Sequence, residues 1–321
     1  MLLEAMGGEY EVCRIPGMVA TSSGALVAYY ECRRGSSSDW AQIDIKIIRS
    51  EDGGESFSTV MLIAGEGSTL NNPVMIADGE TLHFLYCKNY YNLYYSKSED
   101  GGKSFGVPRE ITECLYEAGR EFTVAAVGPG HGIVKNGRLI VPVWFAYNPE
   151  KPKSHHPSFI STLYSDDGGE SFHVGEVIGD GILKDPSECA LALTADGRVM
   201  NSIRNENPEH LRALAYSENG SDGWTLPELC ENLPDPICQG SMLSDGGLVY
   251  HINCASKEDR LSLSVKISAD GFRSMETVEV DEVGGYSDIA LLDGKLCVIY
   301  EKLSRKQKEG LFFKRLLRDE T

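Results

Sequence analysis

The sequence lacks the features that would direct a chain to a membrane or to an oxidising compartment. No run approaches the roughly 20 apolar residues that a transmembrane helix needs, and residues 1–16 contain neither the basic segment nor the apolar core of a secretory leader. The nine cysteines show no C-x-x-C spacing, and their odd number leaves at least one unpaired. We therefore expect reduced, mostly buried thiols, no zinc site and a cytoplasmic location, or secretion if the natural chain starts earlier.

Positive charge is also scarce. The chain carries 30 lysines and arginines against 48 aspartates and glutamates, which gives a formal net charge of −18 at pH 7. Phosphate backbones and anionic membranes repel such a chain, so we expect neither nucleic acid nor a membrane as a partner. No amphipathic helix of about 12 or more residues is apparent either. Glycine, in contrast, is abundant, and its 34 residues favour a turn-rich β architecture.

A short motif recurs along the chain. Three segments of nearly the same sequence, S-[ED]-D-G-G-[EK]-S-F, occupy 50–57, 98–105 and 165–172, and weaker copies start at Ser217 and Ser268. The starts lie about 50 residues apart, with one longer interval of 67. Each copy follows a strand-like run, and its Asp-Gly or Asn-Gly pair is a strong hairpin signal because glycine accepts positive φ. The motif therefore predicts a repeated turn between two strands.

The pattern S-x-D-x-G-x-x-[FW] resembles the Asp-box of sialidases and related propellers. Blades of about 50 residues, with four short strands each, divide the 321 residues into roughly six. We therefore predict an all-β, six-bladed β-propeller of four-stranded antiparallel blades, which forms a single domain over residues 1–321 with its ends close together. The Asp-box itself indicates the architecture and not the reaction.

The motifs before the first Asp-box closely resemble the opening of a sialidase. Arg14 stands in an R-I-P sequence, Glu31 and Arg33 form an E-x-R sequence, and Asp39 follows in the next loop. The resemblance implies that Arg14 is the first of three arginines that bind the carboxylate of sialic acid. It implies a further sugar contact for Arg33, with Arg34 as the alternative because the loop varies in length, and a general acid/base role for Asp39.

The resemblance continues through the middle of the chain. Asn72 stands where family members place a residue near the sugar's O4, and His131 is expected to be a turn or wall residue. Glu188 precedes Arg204 by 16 residues, with an A-D-G-R turn at 195–198 between them. In a hairpin of this length the two side chains can face the same central well. The resemblance assigns Glu188 as the partner of a catalytic tyrosine and Arg204 as the second carboxylate arginine.

The last third of the chain supplies the remaining site residues. Arg260 is the predicted third carboxylate arginine; Arg273 competes with it but lies inside a degenerate Asp-box and is expected to be exposed. Tyr286 stands in a G-Y-S-D sequence that resembles the nucleophile segment of sialidases. Glu301 matches the carboxylate that braces the first arginine. The resemblance thus runs from about residue 10 to about residue 315.

These residue types suit the hydrolysis of terminal α-linked sialic acids from glycans. Three guanidinium groups can fix a carboxylate through charge-assisted bonds within an otherwise acidic protein. A neutral tyrosine avoids the repulsion that an anionic nucleophile would meet, and Glu188 can take its proton. Asp39 would protonate the leaving oxygen and then activate water, with retention of configuration. We therefore expect a raised pKa for Asp39 and an acidic-to-neutral activity optimum.

The expected partners are sialylated glycans, oligosaccharides or glycolipids. The chemistry calls for no cofactor and no metal, and we expect neither. Three alternatives stay open: a non-catalytic carbohydrate-binding propeller, an enzyme for a related nonulosonate such as the deaminated acid, and a transferase. The transferase would pass the sugar to another sugar or release an anhydro product.

Overall fold

Nearly all of the regular structure is β-strand, in a computed structural model that describes residues 1–305 and 308–316. The predicted domain 1–321 also includes residues 306, 307 and 317–321, which lie outside the described residues. The described residues contain a seven-residue 3₁₀ helix, Thr112–Ala118, and no helix long and apolar enough for a transmembrane span. All nine cysteines are free thiols.

The strands are short and regularly spaced. In chain order they are β1 (Leu2–Ala5), β2 (Val12–Ala20), β3 (Leu26–Arg34), β4 (Gln42–Ser50), β5 (Ser58–Ile63), β6 (Leu70–Asp78), β7 (Thr81–Lys88), β8 (Asn92–Ser98), β9 (Arg109–Glu110), β10 (Val124–Val127), β11 (Gly130–His131), β12 (Ile133–Lys135) and β13 (Arg138–Ala146). They continue as β14 (Ser158–Ser165), β15 (His173–Val174), β16 (Cys189–Leu193), β17 (Val199–Ile203), β18 (Leu211–Ser217), β19 (Glu228–Pro234), β20 (Ser241–Asp245), β21 (Leu248–Cys254), β22 (Leu261–Ser268), β23 (Glu276–Val283), β24 (Ser287–Leu292), β25 (Lys295–Leu303) and β26 (Lys308–Leu316).

These strands form six small sheets, which are the blades of a β-propeller. Blade 1 is β2–β5, blade 2 is β6–β9 with β11, and blade 3 is β10 with β12–β15. Blade 4 is β16–β19, blade 5 is β20–β23, and blade 6 is β24–β26 with β1. The predicted six-bladed all-β fold is therefore confirmed. Because β1 supplies the outer strand of the last blade, Leu2 lies opposite Phe312 and the ring is closed by strand pairing.

Two blades depart from the predicted four antiparallel strands. Blades 2 and 3 each have five, and β11 runs parallel to β6, with Gly130 opposite Val74. β11 is the extra strand of blade 2, and it arises because the connection between β10 and β12 passes along β6, the innermost strand of that blade. The extra strand of blade 3 is β12, which pairs with β13. His131 lies in the connection between β10 and β12, which brings it to Asp288 in β24 of blade 6.

Each Asp-box forms the turn between the third and fourth strand of its blade. In blade 1 the Ser50 hydroxyl donates to Asp52 Oδ1 at 2.7 Å and accepts the N–H of Gly54 at 2.8 Å. Ser56 donates its N–H to Asp52 at 3.0 Å. Hydrogen bonds from Ser56 and Ser50 lower the pKa of Asp52, so the carboxylate stays ionised and holds the turn.

The second glycine of each Asp-box also fixes the distance to the neighbouring blade. Gly54 has φ +91°, and a Cβ there would lie 2.3 Å from the ring of Phe313 in blade 6. Equivalent glycines meet blade 1 at Val27 and blade 2 at Tyr95. In blade 5 the position is Phe272, with φ 63°, and its buried ring fills the space between blades 4 and 5. The motif therefore shapes the interface between blades as well as the turn.

Replacing Gly54 by alanine is expected to destabilise the fold by about 3 kcal/mol. Positive φ costs a non-glycine residue about 1–2 kcal/mol, and overpacking against Phe313 adds about 1–3 kcal/mol. Urea unfolding followed by fluorescence would measure the change. Gly168→Ala is the matched control, because Gly168 has φ +69° and open space around a Cβ. Equal losses in the two variants would contradict the blade contact.

Candidate active site

One mouth of the central channel contains a pocket of about 180 Å³. Seven of the residues singled out in the sequence line it, and they are Arg14, Asp39, Asn72, Glu188, Arg204, Arg260 and Tyr286. They come from blades 1, 2, 4, 5 and 6, and most lie at the ends of the innermost strands or just outside them. Because those strand ends converge on the axis, residues far apart in sequence share one pocket.

Three arginines line the pocket, and the first of them, Arg14, is paired with Glu301. Arg14 Nε and Nη2 each donate to a Glu301 carboxylate oxygen at 3.2 Å. Glu301 is fully buried and also accepts the N–H groups of Ile15, at 2.9 Å, and Tyr286, at 3.3 Å. Burial lowers the pKa of Arg14, but Glu301, Tyr286 and Asp39 together raise it by more, so the net pKa is raised and the arginine stays charged. This bidentate pair fixes the guanidinium orientation.

The other two arginines reach the pocket from blades 4 and 5. Arg204 follows β17 and donates to the Glu188 carboxylate, and its N–H also pairs with the Glu188 carbonyl at 3.2 Å. Arg260 precedes β22, and within the described part of the chain its guanidinium has one ion-pair partner, Glu301 at 3.6 Å. Its side chain is 27% exposed, the highest value among the three arginines. Arg260 therefore has the most uncommitted donors for a ligand.

Tyr286 lies between these charges. Its hydroxyl donates to Glu188 Oε1 at 2.6 Å and accepts a hydrogen bond from Arg204 Nη1 at 3.0 Å. The guanidinium carbons of Arg14 and Arg260 each lie 5.2 Å from the centre of the tyrosine ring. Burial and Glu188 raise the pKa of Tyr286 well above its usual value, although Arg204 and Arg260 lower it. The phenol is therefore neutral and already hydrogen-bonded to a carboxylate that can accept its proton.

Asp39 lies in the loop between β3 and β4 and is 46% exposed. Arg33 Nη1 donates to it at 2.7 Å, and Arg14 lies 3.9 Å away. Burial raises the pKa of Asp39, but Arg33 and Arg14 lower it by more, so the net pKa is below the usual range. The expectation of a raised pKa is therefore wrong, because the sequence did not reveal that two arginines would face the same carboxylate.

Arg33 occupies a different place from the predicted sugar contact. Its side chain is 0% exposed, and it also donates to Glu31 Oε2 at 2.8 Å. It lies behind Asp39 and holds that carboxylate in place. Arg34, the alternative, points elsewhere and donates to Asp44 at 2.8 Å. Arg273, the competitor of Arg260, is exposed and is not among the pocket residues.

Asn72 joins the pocket from blade 2. It has φ 51° and donates its backbone N–H to Glu31 Oε1 at 2.9 Å, which links it to the Arg33–Asp39 pair. His131 pairs with the fully buried Asp288 in β24, with Nδ1 2.7 Å from Oδ1. Asp288 also accepts the Met18 N–H at 2.9 Å. His131 therefore links the connection between β10 and β12 to blade 6, and it is not among the residues that line the pocket.

Sequence reasoning missed the aromatic side of the pocket. Tyr90, Trp144 and His155 line it, and the imidazole of His155 packs between the other two with ring centres 4.9 and 5.2 Å away. His155 belongs to a His-His pair in a chain with only seven histidines, which was the one available signal. Trp144 and Tyr90 carry no motif, because their positions depend on how blades 2 and 3 pack together.

His156, Asp185 and Glu206 form a cluster of metal-binding residue types at the rim of the pocket. His156 lies 3.7 Å from Asp185 through Nδ1 and 3.5 Å from Glu206 through Nε2. The two carboxylates therefore face opposite edges of the ring, whereas one ion would need both oxygens beside a single nitrogen. The arrangement fits a histidine held between two carboxylates better than a metal site.

The match to known families agrees with this geometry. Residues 59–296 match the family described as the BNR repeat-like domain. The chain belongs to the sialidase family with Asp-box repeats. It is 27% identical to an exo-alpha-sialidase of Arthroderma benhamiae over 83% of this chain and 69% of that protein. It is 25% identical to a sialidase of Bacteroides fragilis over 90% and 59%, and 32% identical to sialidase-3 of Rattus norvegicus over 54% and 43%.

The chain thus spans between about two fifths and two thirds of these relatives' lengths. Among solved structures, the Hadza microbial sialidase superposes with a TM-score of 0.79 at 21% identity, over 96% of this chain and 66% of that one. The intramolecular trans-sialidase of Ruminococcus gnavus gives 0.77 at 15% identity, over 97% and 96%. At these identities the superpositions support the same propeller fold, and any argument about the reaction has to come from the residues of the pocket.

Proposed function

We propose that the protein is an exo-α-sialidase that removes terminal α-linked sialic acids from glycans with retention of configuration. The observation that carries the proposal is the 2.6 Å hydrogen bond from the Tyr286 hydroxyl to Glu188, in a pocket that three arginines also line. The names of the curated relatives support the same activity. Oligosaccharides, glycoproteins or glycolipids that end in sialic acid are the proposed substrates.

In this proposal the substrate carboxylate binds between Arg14, Arg204 and Arg260. Three guanidinium groups from different blades can contact both carboxylate oxygens, which orients the sugar before any bond changes. Arg14 and Arg204 already pair with Glu301 and Glu188, and the substrate carboxylate becomes a further negative partner of these arginines. Binding thus positions the anomeric carbon above the Tyr286 oxygen.

The first chemical step forms a bond from Tyr286 Oη to the anomeric carbon and breaks the glycosidic bond. Glu188 Oε1 takes the phenolic proton as the bond forms, and Asp39 gives a proton to the departing oxygen. Arg204 already donates to the phenolic oxygen, so it can stabilise the charge that develops there. Water then gives a proton to Asp39 and attacks the anomeric carbon, the bond from that carbon to Tyr286 Oη breaks, and Glu188 returns its proton to the phenolic oxygen.

The low pKa of Asp39 is compatible with an acid role once substrate is bound. Arg14 lies 3.9 Å from Asp39 and is also proposed to bind the substrate carboxylate. The negative charge of the substrate then offsets the positive charge of Arg14. The pKa of Asp39 should therefore rise on binding, since an opposing charge is partly neutralised. Arg33 keeps the carboxyl group in position throughout.

Product analysis with 2,3- and 2,6-linked sialyllactose tests the proposal. We expect lactose and free sialic acid, and early proton NMR spectra should show the α-anomer first. The methyl ester of the substrate is the matched control, because it lacks the charge that the arginines bind and should react far more slowly. Absence of lactose would refute catalysis, an initial β-anomer would refute retention, and an anhydro product would replace hydrolysis by intramolecular transfer.

A further inference from the structure

Arg212 is a fully buried arginine outside the pocket, in strand β18 of blade 4. Its side chain is 0% exposed, and among the described residues its one ion-pair partner is Asp235, at 3.5 Å. A guanidinium without solvent is costly unless its donors are all used. The contacts that satisfy this one lie on two different blades.

On the blade 4 side, Arg212 binds the hairpin that carries the proposed base. Nη2 donates to the carbonyl of Ser202 at 2.8 Å and to the carbonyl of Glu188 at 3.4 Å. Nε donates to the Ser202 hydroxyl at 2.9 Å. The guanidinium therefore contacts both arms of the hairpin, including the backbone of Glu188 itself.

On the blade 5 side, Arg212 binds the segment that supports the proposed nucleophile. Nη1 donates to the carbonyl of Cys238 at 2.9 Å, and Cys238 is buried against Tyr286. The next residue, Gln239, accepts the N–H of Ser287 at 2.9 Å. The segment 235–239 thus contacts Tyr286 and its neighbour, and Arg212 holds that segment.

We propose that Arg212 is a positioning residue that fixes the distance between Glu188 and Tyr286. The inference rests on the proposed function, in which proton transfer between these two side chains is part of the first step. The planar fork of an arginine can donate to acceptors on both blades at once, whereas a lysine offers a single nitrogen. Displacement of a reacting group by about 1 Å can cost about 100-fold in rate.

Arg212→Lys is the variant that tests this role, because it keeps the positive charge beside Asp235 and loses the fork. We expect kcat on a fluorogenic sialoside to fall about 100-fold while KM changes by less than about threefold. The rate of covalent labelling by 2,3-difluorosialic acid, measured by intact mass spectrometry, should fall equally. That step needs Tyr286 and Glu188 but no proton from Asp39, because fluoride is the leaving group.

Two further variants separate positioning from folding. Arg138→Lys is the matched control, since Arg138 pairs with Asp166 at the outside of blade 3, and its rates should equal those of the wild type. Arg212→Met with Asp235→Asn removes the buried charge pair together, and it should lose labelling to the same extent while still folding.

DANA is an inhibitor that was bound to a solved sialidase of the same fold. Its dissociation constant, measured by calorimetry, reports on ligand binding in the pocket and not on the covalent step. It should stay within about threefold of wild type in Arg212→Lys, with one binding site per chain. Labelling at the wild-type rate would overturn the inference, and so would a loss of binding sites in proportion to the lost labelling. A wild-type protein that neither binds DANA nor is labelled would overturn the proposed function itself.

Discussion

Replacing Tyr286 by phenylalanine is expected to lower kcat by about 1,000-fold or more, with KM nearly unchanged. The change removes only the hydroxyl that donates to Glu188 at 2.6 Å, and the ring can still pack against Cys238. Without that oxygen no tyrosyl-sugar bond can form, and Glu188 is left with Arg204 as its partner. Steady-state kinetics on a fluorogenic sialoside would measure the loss, and mass spectrometry should find no covalent adduct with 2,3-difluorosialic acid.

Tyr300→Phe is the matched control for this variant. Tyr300 lies in the same blade, is buried, and donates its hydroxyl to Asp281 at 2.9 Å, away from the pocket. Loss of that hydrogen bond should cost about 1 kcal/mol of stability and leave kcat intact. Wild-type turnover in Tyr286→Phe would end the assignment of Tyr286 as nucleophile.

Replacing Arg260 by alanine is expected to raise KM about 100-fold. A charge-assisted hydrogen bond contributes about 1.5–3 kcal/mol, and Arg260 has more free donors than Arg14 or Arg204. The fold should tolerate the change, because Glu301 keeps the two hydrogen bonds from Arg14 and two from backbone N–H groups. Initial rates over a wide range of sialyllactose concentration would give KM and kcat separately.

Arg273→Ala separates the two arginines that compete for this role. Arg273 is exposed in the degenerate Asp-box of blade 5, so its removal should leave KM at the wild-type value. A raised KM in Arg273→Ala together with an unchanged KM in Arg260→Ala would reverse the assignment. The KM of Arg260→Lys should lie between the wild-type value and that of Arg260→Ala, because lysine keeps the charge and loses the bidentate geometry.

The architecture followed from local sequence because its determinants are local. An Asp-box is a turn whose hydrogen bonds join Ser50, Asp52 and Ser56 within seven residues, so the motif predicts the turn wherever it occurs. Repetition at blade length then predicts the number of blades. The parallel strand β11 was not predictable, because Gly130 pairs with Val74 through the path of a connection and not through any pattern in its own residues.

The pocket was predictable only where a motif marked a residue. Arg14, Glu188 and Tyr286 stand in recognisable segments, and the structure brings them together. Electrostatic detail was not predictable: the low pKa of Asp39 depends on the distance from Arg33, which a sequence does not contain. Arg212 carries no motif either, and only its burial and its contacts with two blades indicate a role.

The pair formed by Arg14 and Glu301 joins residues 287 positions apart, on either side of the seam where the first and last blades meet. Bringing such distant residues together costs about 5 kcal/mol of chain entropy, which the pairing of β1 with β26 helps to offset. The pair of Arg14 and Glu301 therefore does not exist in any intermediate that lacks this seam. Activity regained during refolding is therefore expected no earlier than the formation of this seam.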